Sequence, residues 1–152
     1  MAQPDAARAL RALEPFVGEW TIEARGPDGT PWPGEGRASF EWHASGAHLV
    51  QRTGIDAPGA PDSVAIIGCD AANGTYVQLY SDERGVCRIY DMALDGSEWT
   101  LRRDGEPFAQ RFSATISDDG RTISGRWEKA EAGTGFAVDF YLTYRKVPSS
   151  PS

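Results

Sequence analysis

The sequence predicts an all-β fold: a closed antiparallel up-and-down barrel of about ten strands, with one short helix capping an end. Three observations carry this. Beyond Pro15, apolar and polar residues alternate in segment after segment, the period of a half-buried strand. Turn signals such as Asn73-Gly74, Asp95-Gly96 and Asp118-Asp119-Gly120 recur between these segments. A meander of neighbouring hairpins removes its edge strands by closing on itself.

The elements follow in order. Residues 5–14, rich in Ala, Leu and Arg, make the capping helix; Asp5 favours its N-terminal dipole, Leu10 and Leu13 share a face, and Pro15 stops it. So short a helix must dock on the barrel to persist. In the first strand Trp20, Ile22 and Ala24 alternate with Thr21, Glu23 and Arg25. Gly26–Gly29 and Pro31–Gly34 break the chain. Strands are expected near Gly36–His43 and Ala47–Ile55, then a loop at Asp56–Asp62. Val64–Cys69 is a continuous apolar run, which predicts a strand covered on both faces. Thr75–Ser81, Val86–Leu94, Glu98–Arg103, Phe108–Ser117 and Arg121–Lys129 follow. The last strand places Phe136, Val138, Phe140, Leu142 and Tyr144 on one face. Residues 1–147 form one domain in this reading, and 148–152, Pro/Ser-rich, a disordered tail.

The 152 residues suit a single domain with its own core, and 11 % aromatic content with mixed charges excludes whole-chain disorder. A net charge of −7, with no basic cluster to offset it, argues against nucleic acid and anionic membranes. No secretory signal opens the chain, so a cytoplasmic location is expected, with Cys69 and Cys87 as buried, reduced fillers. The composition is compatible with a homodimer. Phosphate-binding, dinucleotide, nucleophile-elbow and zinc-protease motifs are missing. His43 and His48 alone make a poor metal site, and neither a metal nor a cofactor is expected.

Function is expected inside the barrel. If each apolar face points inward, Gln51, Thr53, Tyr76, Gln78, Tyr80, Asp91 and Gln110 go in with it. Buried amides and a carboxylate need partners, which a ligand-filled or water-filled cavity supplies. The expected ligand contacts are Gln51, Tyr76, Gln78, Tyr80, Asp91 and Gln110 with Trp42, Phe112, Trp127 and Phe140, around a small, largely apolar molecule. An alternative is a cofactor-independent enzyme, an isomerase or cyclase, in which Asp91 and Tyr80 form an acid–base pair. Trp32, held between Pro31 and Pro33, is either a lid over the barrel mouth or a side chain folded back on the wall.

Helix, Phe16-Val17-Gly18-Glu19-Trp20, then a strand meander: this order resembles the calycin superfamily, lipocalin-like barrels with a Gly-x-Trp at the first strand and a helix plugging one end. The strand count is closest to its fatty-acid-binding-protein-like and nitrobindin-like branch. The runs Ser117–Glu128 and Asp139–Tyr144 look like uncharacterised bacterial domains of that type. The resemblance implies an interior ligand site. Nitrobindins hold haem through a His near the C-terminus, whereas this chain has only His43 and His48, so no haem is implied. Ile22 and Ala24 also replace later glycines of the nitrobindin pattern. Arg126 and Tyr144 lie where fatty-acid binders carry carboxylate-holding residues, although Arg126 falls on the face opposite Trp127.

Overall fold

The computed structural model describes residues 6–105, 107–131 and 134–148. Asp5 and the tail beyond 148 lie outside the described residues. Helix α1 (Ala6–Arg11) and a 3-10 turn (Glu14–Phe16) precede ten strands: β1 (Gly18–Arg25), β2 (Glu35–Trp42), β3 (Leu49–Asp56), β4 (Ser63–Asp70), β5 (Thr75–Asp82), β6 (Cys87–Asp95), β7 (Glu98–Arg103), β8 (Phe108–Ile116), β9 (Thr122–Glu131) and β10 (Ala137–Lys146). Each strand pairs antiparallel with its chain neighbours, and β1 pairs with β10 to close the barrel.

The helix is shorter than expected, and Pro15 acts differently. With no N–H to donate, Pro15 cannot extend the α ladder, so the chain tightens: Leu13 N–H donates to Leu10 O at 3.0 Å and Phe16 N–H to Leu13 O at 3.0 Å. This places Leu13 and Phe16, both buried, in the barrel end. Phe16 packs on Phe40 and Trp99 with ring centroids 5.4 and 4.8 Å away. Trp20 Nε1–H donates back to Phe16 O at 2.9 Å. The Gly-x-Trp segment thus ties the first strand to the plug.

Three strand features differ from the sequence reading. Val64 and Ile66 are exposed, so β4 is covered on one face only; with Val77, Leu79 and Ile89 they form an apolar stripe across the outside of β4–β6. On β6 the inner face carries Tyr90 and Met92, which leaves Asp91 outside and exposed. Alternation on this strand is apolar on both sides, so hydropathy does not set its phase. On β10 a bulge between Val138 and Phe140 shifts the register. Phe140, Leu142 and Tyr144 point inward, while Phe136 lies under Arg111 on the outside, 4.1 Å from the guanidinium carbon.

The turns show a similar shift. The β6–β7 loop is Gly96-Ser97, since Asp95 pairs with Glu98. Gly96 takes φ +60° and Ser97 stays at negative φ, the combination of a type II′ hairpin. Cys69 is half-buried and Cys87 exposed, both as free thiols, so only the first is a filler. Among the described residues no helix is long and apolar enough to cross a membrane.

Candidate functional site

Antiparallel order brings the ends of β1, β3, β5, β7 and β9 to the barrel end opposite the plug, beside the starts of β2, β4, β6, β8 and β10. Between plug and mouth lies a cavity of about 200 Å³. Ile22, Leu101, Phe112, Trp127, Phe140 and Leu142 form its apolar wall, and Trp99 lies toward the plug. Thr53, Ile55, Pro61 and Ser63 carry the lining to the rim at β3 and β4. The aromatic wall is mutually braced: Phe112 meets Trp99 at 5.0 Å and Trp127 at 5.1 Å between centroids. Such contacts fix ring positions at about 0.5–1.5 kcal/mol per pair beyond their burial.

Four polar side chains join this wall: Gln51, Gln78, Tyr80 and Tyr144. Gln51 Nε2 donates to Thr53 Oγ1 at 3.3 Å. Tyr144 is pushed up to about 12 by burial, with a hydrogen bond to Gln51 opposing the shift. Tyr80 donates its hydroxyl to Asp82 Oδ2 at 2.8 Å, and Arg84 Nη2 donates to the same oxygen at 2.7 Å. Burial and then Asp82 raise Tyr80 to about 12, while the Arg84 hydrogen bond holds Asp82 well below the usual carboxylate range. Tyr80 is therefore a neutral phenol whose proton is committed to Asp82. Among the described residues two side-chain polar atoms are buried without any hydrogen-bond partner: Gln78 Oε1 and Trp99 Nε1. Each such orphan costs roughly 1–3 kcal/mol, and native proteins carry few of them.

Six of the expected ligand contacts thus meet in one cavity: Gln51, Gln78, Tyr80, Phe112, Trp127 and Phe140. Three others face inward but elsewhere. Tyr76 donates to Ala9 O at 2.7 Å, and half-buried Trp42 donates to Glu14 Oε1 at 3.0 Å, so both anchor the plug. Gln110 lies one layer toward the mouth, where its Oε1 accepts from Tyr90 at 2.9 Å and Arg88 at 3.1 Å. Asp91 is the correction: it lies outside the barrel, cross-strand from exposed Val77, and cannot pair with Tyr80 inside. The buried carboxylate at this end is Asp82, which alternation from Gln78 and Tyr80 along β5 would have found. Trp99 belongs to the core, and nothing local in the sequence marks its N–H as unpartnered.

Trp32 folds back at the rim, stacked on cavity-lining Phe140 at 5.0 Å and 46 % exposed. Its backbone N–H donates to Ala24 O at 2.9 Å, which holds the Pro31–Pro33 segment against β1. His43 and His48 stack on each other on the exposed β2–β3 turn at the plug end, outside the cavity. Arg126 is outside the barrel, in an ion pair with Glu128 at 3.4 Å.

The fold and site define a closed ten-stranded antiparallel barrel with an aromatic-walled interior cavity, a build compatible with binding a small apolar molecule. The crystal structure of Rv2717c from M. tuberculosis is similar in fold: TM-score 0.63, at 18 % identity, covering 97 % of this chain and 100 % of that one. No family model and no curated protein matches the sequence.

Proposed function

We propose that this protein reversibly binds a small, largely apolar, ring-bearing molecule in the barrel cavity. The observation that carries the reading is the pair of orphaned polar atoms, Gln78 Oε1 and Trp99 Nε1, in side chains that line a largely apolar cavity. Both atoms sit behind the cavity surface, so a ligand with one donor and one acceptor relieves them once the Gln78 and Trp99 side chains turn toward it, and displacement of water from the apolar wall supplies most of the affinity. Size narrows the ligand. An apolar cavity of about 150 Å³ takes benzene, so about 200 Å³ suits one or two fused rings rather than a macrocycle.

Gly18-Glu19-Trp20 at the head of β1, the plug and the ten-strand meander support placing the chain with the calycin superfamily, near its nitrobindin-like branch. Haem ligation does not carry over, because both histidines stand at the plug end and neither lines the cavity. With Asp91 outside, the Asp91–Tyr80 pair of the enzymatic alternative does not form.

The test is calorimetric titration of the purified protein with indole, wild type against Ala65→Leu. Ala65 is buried in the cavity wall, and a Leu there fills the space. Saturable one-site binding by the wild type, lost in a variant that keeps its β-sheet spectrum, is expected. Equal binding by both proteins, or none by the wild type up to millimolar indole, sinks the reading.

A further inference from the structure

We infer that the barrel mouth holds an anionic group of the ligand, through Arg88 and Lys129, so that the natural ligand is an aromatic acid; this rests on the cavity reading above. Arg88 faces Tyr80 across β5–β6, and Lys129 faces Gln110 across β8–β9. Gln110 precedes cavity-lining Phe112 by two positions and Lys129 follows cavity-lining Trp127 by two, each on the inner face of its strand. They stand about 7 Å nearer the mouth than the aromatic wall. The two cations flank one ring: the Arg88 guanidinium carbon is 5.4 Å and Lys129 Nζ 5.7 Å from the Phe108 centroid.

The charge balance there is unusual for a chain of net charge −7. Among the described residues no carboxylate forms an ion pair with Arg88 or Lys129, although Arg37, Arg52, Arg84, Arg102, Arg111, Arg126 and Arg145 all have one. Asp82, the buried acid of this rim, is already held by Arg84 and Tyr80. Glu131 ends β9 exposed to solvent. Among the described residues Arg88 donates to Gln110 Oε1, which Tyr90 shares, and its guanidinium also lies against the Tyr90 hydroxyl. A guanidinium has five donors, so Arg88 retains several for a carboxylate. Both cations are half-buried, where an ion pair is screened less than in bulk water. A ring in the aromatic cavity with a one- or two-carbon arm spans the layer between wall and cations.

The experiment compares indole-3-acetate with its neutral isostere indole-3-acetamide, by calorimetry on the full chain, in wild type, Arg88→Gln and Lys129→Gln. The acid is expected to bind at least about tenfold more tightly than the amide, the scale of a charge-assisted hydrogen bond. Each variant should remove most of that preference and leave amide affinity unchanged. Acid and amide binding the wild type equally, or a preference that survives both substitutions, overturns the anionic site while the cavity reading stands. Failure of both probes to bind overturns the two together. Lys129→Gln keeps the Arg88–Gln110 hydrogen bond, so a folding defect in Arg88→Gln would not spare the proposal.

Discussion

At the scale of single residues, the cavity is a place where the fold tolerates unsatisfied chemistry. Gln78→Met removes a buried amide with an orphaned oxygen and replaces it with a side chain of similar length. Unfolding in urea should show the variant at least as stable as wild type, by up to about 1 kcal/mol, because an apolar isostere abolishes a desolvation cost. Indole affinity should fall in the same variant. A clear loss of stability would mean that the amide is satisfied in solution. Asp82 makes the opposite case. Its folded-state pKa is depressed by Arg84, so its contribution is present above the unfolded carboxylate value, near pH 4, and is lost as pH falls further. Asp82→Asn should therefore flatten the acid limb of a stability-versus-pH curve below about pH 4, and a limb as steep as wild type would contradict this. Tyr80 and Tyr144, raised to about 12, act at the other end. Their stabilisation is full below the ordinary tyrosine value near 10 and fades as pH rises toward 12.

At the scale of elements, two short segments decide the interior. The 3-10 turn drives Phe16 between Phe40 and Trp99, so Phe16→Ala should cost about 3–5 kcal/mol in chemical denaturation, as for other buried aromatic truncations. A cost below 1 kcal/mol would show that the plug is not part of the core. Gly125 is the second point of contact between elements. A Cβ there would meet Ala114 Cβ at 2.7 Å and Phe112 Cζ at 2.9 Å, against the ring that walls the cavity. Gly125→Ala should destabilise by about 1–3 kcal/mol through overpacking. Gly68→Ala, with nothing within 4 Å of the added carbon, is the control and should be neutral or slightly stabilising. Strand existence was legible throughout, because each segment is either alternating or apolar and is bounded by turn residues. Phase was not legible on β6 or β10. On β6 both faces carry aliphatic residues, and on β10 the bulge beside Asp139 inverts the face that simple alternation assigns to Phe136.

At the scale of the whole molecule, closure is the property that creates a site. Thr21 pairs with Arg145 across the seam, so the first strand finds its partner only when nearly the whole chain is in place. Such non-local pairing predicts folding on the millisecond-to-second scale rather than in microseconds, measurable by stopped-flow tryptophan fluorescence. The −7 charge reads differently once the mouth is seen. Inward-facing Arg88 and Lys129 lie at the rim and, among the described residues, form no ion pair with a carboxylate, whereas seven other arginines do. A composition that disfavours acidic ligands in bulk is compatible with selecting one at this point.

The amino-acid sequence by itself determined the barrel, its strand count, the plug and most of the aromatic wall, since alternation and turn chemistry are local and repeat along the chain. It also picked out Gln51, Gln78 and Tyr80 as inward polar groups. Only the tertiary structure decided which of them share a cavity. That Tyr76 and Trp42 anchor the plug, that Asp82 replaces Asp91 as the interior carboxylate, and that Trp99 is left unpartnered all depend on what stands across the barrel. Those neighbours come from strands distant in sequence. A one-residue change of phase moves a side chain from the interior to solvent, and no local pattern records where the barrel closes.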